Sequence, residues 1–150
     1  MLRSRRWTDD DGSASLEFVT AGMILLVPIV YLVLTMSAIQ AGALAVEGAA
    51  RQAVRVFVQA EDAGSAQAAA IRAVEFALAD HGIESSAASV AVTCSPRPGA
   101  CLTRQGFVTV TVSVAVPLPL APPALQGSFP LGIPLGATAT QQVSRFWGSG

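Results

Sequence analysis

The chain has 150 residues, of which 52% are hydrophobic and only 13% charged, with a formal net charge of -1. Soluble domains carry about 25% charged residues, so an ordinary cytosolic globule is excluded, and the length leaves room for one membrane helix and one small domain. The nine basic residues are all arginines scattered along the chain, which leaves no basic face for neutralising phosphates, so no direct nucleic-acid contact is expected.

Residues 1–12 read as a polar, charge-dense leader without apolar periodicity. Arg3, Arg5 and Arg6 precede the apolar run, and flanking arginines weigh more than Asp9, Asp10 and Asp11 in setting orientation, so the N-terminus is expected in the cytoplasm. From Phe18 to Val46 no residue is charged. A helix needs about 20 apolar residues to cross a bilayer core, so 13–41 is expected to be a transmembrane helix, with everything beyond it outside the inner membrane. Two other targeting readings are weaker. Ala43-Leu44-Ala45 resembles a signal-peptidase site, but the apolar run is too long for a secretory signal. Arg5-Arg6 hints at a twin-arginine signal, yet Trp7-Thr8-Asp9 continues it with polar residues.

Ser13 is the expected N-cap of this helix, and Pro28 is expected to bend it without ending it. Thr35 and Ser37 add hydroxyls in the outer half. Beyond the membrane, Glu47, Arg51 and Arg55 fall on one face and Ala50, Val54 and Val58 on another, so an amphipathic extension over 42–60 should complete one helix from about 14 to 60. Glu61-Asp62-Ala63-Gly64-Ser65 breaks it. A second helix is predicted from Ser65 to His81, with Ala70, Ile71, Val74, Ala77 and Leu78 on one stripe and Gly82 as its left-handed stop.

After residue 87 the period changes from helical to alternating. In Phe107–Val116 every even position is Val, the pattern of a half-buried strand. Ala88–Thr93 is its predicted hairpin partner, 117–134 a proline-rich surface loop, Leu135–Val143 a last strand, and 145–150 a tail. The predicted fold class is therefore α+β: a long N-terminal transmembrane helix extending into a small outer domain, 61–150, of one further helix and a short antiparallel sheet.

Cys94 and Cys101 bracket six turn-forming residues at the proposed hairpin tip. In an outward-facing domain that spacing suits a structural disulfide; a redox motif would want Cys-x-x-Cys, and a metal site would want further Cys or His ligands. Closing so short a loop stabilises by roughly 2 to 3 kcal/mol. His81, the one histidine, reads as a helix C-terminal residue facing terminal carbonyls. No nucleophile, base and orienting group recur together, and no phosphate-binding loop is present, so no catalytic residue, cofactor or metal is expected.

Glu17 stands out, because a carboxylate at the mouth of a hydrocarbon-spanning segment needs a partner. An acid near a helix start also interacts favourably with the macrodipole, by up to about 1 kcal/mol. Were the bond after Gly12 cut, Ser13 would carry a new ammonium group four residues before Glu17.

The block Gly12-Ser13-Ala14-Ser15-Leu16-Glu17-Phe18 and the apolar segment after it resemble the class III signal of type IV pilin-like proteins, with the Glu-Phe form of the Flp, or tight-adherence, branch. The stretch from Val46 to Arg55, and an outer domain ending in Ala137-Thr138-Ala139-Thr140, look like TadE-like minor pilins. Pro28 departs from that pattern, lying near the middle of the run where TadE-like proteins often carry a proline early. The resemblance implies cleavage between Gly12 and Ser13 by a prepilin peptidase. It also implies pairing of Glu17 with the Ser13 ammonium of a neighbouring subunit, and as partners other pilins and minor pilins, a membrane assembly platform and the lipid bilayer. The alternative is a non-pilin, single-pass membrane-anchored binding protein with an extracytoplasmic ligand-recognition domain.

Overall fold

A computed structural model describes residues 13–119 and 132–148. It divides into two compact units, one ending at Met36 and the other starting at Ser37. Helix α1, Ser13–Gln59, contributes to both. Ser13, expected as the cap, is instead the first helical residue, and the shift of one position lies within the fraying of a helix start. Pro28 sits inside α1 without ending the helix.

In the first unit Leu, Val, Ile and Met side chains stand exposed all round the helix, from Leu16 at 71% and Phe18 at 80% to Met36 at 54%. Among the described residues this one helix is long and apolar enough to cross a membrane.

The second unit holds the rear of α1, helix α2 (Ala63–Ala79) and strands β1 (Ser89–Ser95), β2 (Phe107–Pro117) and β3 (Gly132–Gln142). The strands form an antiparallel meander in the order β1-β2-β3. The fold is therefore α+β, with a long N-terminal helix, a second helix and an antiparallel sheet, as predicted. The even valines of β2, Val108 to Val116, point into the core, and in register beside them lie Val90, Val92 and Cys94 of β1 and Leu135, Ala137 and Ala139 of β3. Against this face α1 presents Ala45, Val46, Ala49, Ala50, Ala53, Val54, Phe57 and Val58, and α2 adds Ala66, Ala70, Val74 and Leu78. Small residues allow close approach: a Cβ on Gly42 would lie 2.9 Å from both Leu135 Cδ1 and Val116 Cγ2.

Several boundaries differ from expectation: β1 runs Ser89–Ser95 where Ala88–Thr93 is predicted, and the bounds of α2 and β3 shift for local reasons. Helix α2 starts at Ala63 because Asp62 accepts from the Gly64 and Ser65 amides while Ser65 Oγ accepts from the Asp62 amide, a capping box with Ser in the returning position. It ends at Ala79. Gly82 is the left-handed stop as predicted, with φ of 67° and the Ile83 amide donating to the Leu78 carbonyl. Ile71 is 39% exposed and leaves the buried stripe to Ala66, Ala70, Val74 and Leu78. Strand β3 starts at Gly132, so the proline-rich connection loses 132–134 to the sheet: these residues pair with Pro117, Val116 and Ala115, and Pro134 is tolerated because β3 is an edge strand among the described residues.

The outer face of the sheet is uncharged. Thr109 and Thr140 hydroxyls meet at 2.8 Å, and Thr111 and Thr138 at 3.1 Å. The C-terminal turn closes the unit, with Trp147 donating its indole N–H to the Ala60 carbonyl at 2.9 Å and Arg104 Nε donating to the Trp147 carbonyl at 2.9 Å.

Candidate functional site

Helix α1 is where the chemistry-bearing residues of the sequence collect. Gly12 lies outside the described residues, and Ser13 opens the helix. Glu17 follows just past the first turn, four residues and about 6 Å of rise from Ser13. Its carboxylate is exposed and has no ion-pair or hydrogen-bond partner among the described residues. It is the one acid of the first unit's described helix, and every position from Phe18 to Met36 is uncharged. A lone carboxylate at such a position is costly beside hydrocarbon, so the arrangement asks for a cation from beyond the described residues.

Polar groups recur along the same helix. Thr35 donates its hydroxyl to the Tyr31 carbonyl at 2.8 Å, the back-bonding that lets a threonine sit inside a helix. Pro28 has no N–H to give the Ile24 carbonyl. Sequence reasoning noted Thr35 but passed over Tyr31 and Thr20; the usable signal was their azimuth, since both fall near Glu17 on one helical face.

Further along α1 the charged face forms as expected. Arg51 donates to Glu47, and both are exposed. Asp62, in the loop before α2, has its carboxyl held below the usual aspartate range, first by the Ser65 backbone N–H, then by the Ser65 hydroxyl and the Gly64 N–H.

Cys94 and Cys101 form a disulfide with their Cα atoms 5.1 Å apart, inside the span such a bridge requires. Cys94 is buried at the end of β1 opposite Val108. The bridge therefore ties the loop between β1 and β2 to the core. His81 is exposed, and its backbone N–H donates to the Leu78 carbonyl. Among the described residues no group of three or more His, Cys, Asp or Glu side chains could hold a metal ion.

Comparison with known protein families, with characterised proteins and with solved structures gives no match to this chain. The residues must speak for themselves. What they bring together is one helix with an acid at its start that has no partner among the described residues and a row of hydroxyl-bearing positions behind it. A shallow groove between α1 and α2, lined by Gln52, Arg72, Phe76 and Asp80 among others, lies apart from that row.

Proposed function

We propose that the protein is a minor pilin or pseudopilin of the tight-adherence type, anchored by α1 in the inner membrane and processed after Gly12. The observation that carries this reading is the position of Glu17, without a partner among the described residues and one turn behind Ser13, at the head of the uncharged run from Phe18 to Val46. Cleavage at Gly12 creates an α-ammonium on Ser13. In an assembly of parallel helices that ammonium and the Glu17 carboxylate of a neighbour neutralise one another. Paired charges in a desolvated setting attract strongly, whereas either one left single is costly, so the pair favours one register over others.

The disulfide supports the orientation. Bridges of this kind persist in oxidising compartments, which fits a second unit outside the cytoplasm and the arginine-rich leader inside. On this reading the protein works as a structural component, with a prepilin peptidase, other pilins and a membrane assembly platform as its partners.

The deciding measurement is the N-terminus of the protein isolated from membranes with and without a prepilin peptidase. The expected result is a start at Ser13 that depends on the peptidase. A start at Met1 in its presence would reject the proposal and favour a membrane-anchored binding protein. Glu17→Ala should leave cleavage intact while co-isolation with partner pilins is lost.

A further inference from the structure

The uncharged run of α1 does not stop where the first unit ends. Ser37 opens the second unit, and no charged residue appears before Glu47, so the stretch from Ser37 to Val46 belongs both to the apolar run and to the packed unit. As a helix, Phe18 to Met36 rises about 28 Å, which fills a hydrocarbon core of about 30 Å. With α1 as the anchor proposed above, its next turns cross the headgroup zone, which adds about 5 to 7 Å on each side of that core. Those turns are not bare. Ala38 and Ile39 are half-buried and Gly42 is buried, and a Cβ on Gly42 would touch Val116 and Leu135.

Val116 and Leu135 belong to the end of the sheet where β2 stops and β3 begins. There Pro117 pairs with Gly132, Val116 with Ile133 and Ala115 with Pro134, and Leu118 and Pro119 follow β2. From Phe107 to Pro119 and from Gly132 to Val143 no residue is charged. Leu118 and Ile133 are only half-buried, so apolar side chains stand at the margin of this end. Pro117, Pro119 and Pro134 carry no backbone N–H, which leaves fewer donors to go unsatisfied away from water. The opposite end of the same sheet, where Ser95, Phe107 and Gln142 stand in register, is built otherwise. Arg97, Arg104 and Arg145 lie in the segments that leave it. One sheet thus has a charged end and an uncharged end, and α1 passes beside the uncharged one.

We propose that this uncharged end, formed by Pro117, Leu118 and Pro119 with Gly132, Ile133 and Pro134, rests among the outer headgroups of the membrane that α1 crosses. The occupant is a lipid surface because α1 carries this end to the headgroup level. A tethered contact forms at high effective concentration, so a small apolar area suffices. No Lys or Arg stands at this end to attract anionic headgroups, so the contact is indifferent to lipid charge and to salt. The inference rests on α1 being the membrane anchor and not on cleavage after Gly12. A second contact besides the helix limits rocking of the second unit at the membrane surface.

The test is depth-dependent quenching of the full chain in phosphatidylcholine nanodiscs. Cys94 and Cys101 are joined to each other, so a single introduced cysteine takes up a polarity-sensitive fluorophore alone. Pro117→Cys and Pro134→Cys report on the proposed contact, and Leu25→Cys reports on the anchor. Thr138→Cys is the reference, about 13 Å from Pro134 along β3 at about 3.3 Å per residue. The expected outcome is that a lipid spin label near the headgroup quenches Pro117→Cys and Pro134→Cys several-fold more than Thr138→Cys, while iodide in the water quenches them several-fold less. Raised salt and added anionic lipid should leave both results unchanged. Lipid quenching at these two positions no stronger than at Thr138→Cys, with Leu25→Cys quenched by a deeper spin label, would overturn the inference and leave the anchor standing. Leu25→Cys open to iodide would overturn both. Loss of lipid quenching at high salt would also overturn the inference, since charge and not apolar surface would then hold the contact.

Discussion

The two parts of α1 are equally helical and both apolar, yet they handle apolar surface in opposite ways. Between Leu16 and Met36 the side chains are large and exposed on every side. Between Gly42 and Val58 the inward residues are mostly Gly, Ala and Val, and they are covered: Ala49 and Ala53 are 0% exposed and Val46 is 1%. Bulk is the difference. A helix that meets lipid gains from every methylene it presents, whereas one that meets a sheet gains from how closely its backbone can approach, because packed interiors tolerate neither voids nor overlap.

That contrast is sharpest in a matched pair of deletions. Leu78→Ala, at a position with no exposure, should destabilise the second unit by about 2 to 5 kcal/mol. Leu25→Ala, at 67% exposure in the first unit, should leave the same transition unmoved. Chemical unfolding of the detergent-solubilised protein, followed by fluorescence, measures both. A shift for Leu25→Ala as large as that for Leu78→Ala would erase the distinction between the two parts.

Next in size is the disulfide. Replacing Cys94 and Cys101 together by Ala should cost the second unit roughly 2 to 3 kcal/mol, since the bridge closes a short loop. Helical circular dichroism from the first unit should persist through that transition. Its loss in step with the sheet would show that the two parts melt as one.

Adding bulk makes the reverse test. Gly42→Val drives a side chain into Leu135 and Val116 and should cost about 1 to 3 kcal/mol by overpacking. Gly22→Val enters open space and should leave the unfolding midpoint where it was. Thermal melts of the two variants side by side give the comparison.

The smallest effect is expected from Asp62→Ala, which removes the cap of α2. Because the folded chain holds the Asp62 carboxyl below the usual aspartate range, its contribution is present above the unfolded pKa and lost as pH falls through the folded one. Melts from neutral to acid pH should therefore show wild type and variant converging at the acid end.

How much of this was legible beforehand differs from element to element. The alternating valines of β2 and the four-residue spacing in α1 and α2 are local periodicities, and they predicted strand and helix where strand and helix are found. The break after α1 is legible, but the start of α2 at Ala63 rather than Ser65 is not, because a capping box with Ser at the third helical position lacks the usual Glu or Gln. Gly132–Pro134 was assigned to a loop because proline discourages strands, and only the pairing partner across the sheet shows why an edge accepts it. At the candidate site, the acid and the uncharged run were plain in the sequence. The Tyr31 and Thr35 row was not, since a helix must be shown continuous through Pro28 before residues on either side of it can be assigned to one face.

By itself the sequence determined which segments are helix or strand, that Phe18 to Val46 is uncharged, and that Glu17 lacks a nearby opposite charge. These follow from composition and short periods, which depend on near neighbours alone. The tertiary structure decided that the rear of α1 is buried while the front is bare, that Gly42 must be Gly-sized to fit under Leu135, and that Trp147 reaches back to Ala60. Each of those joins residues far apart in the chain. Such contacts are set by the shape left when helices and sheet close on a common core, and no local pattern carries that shape.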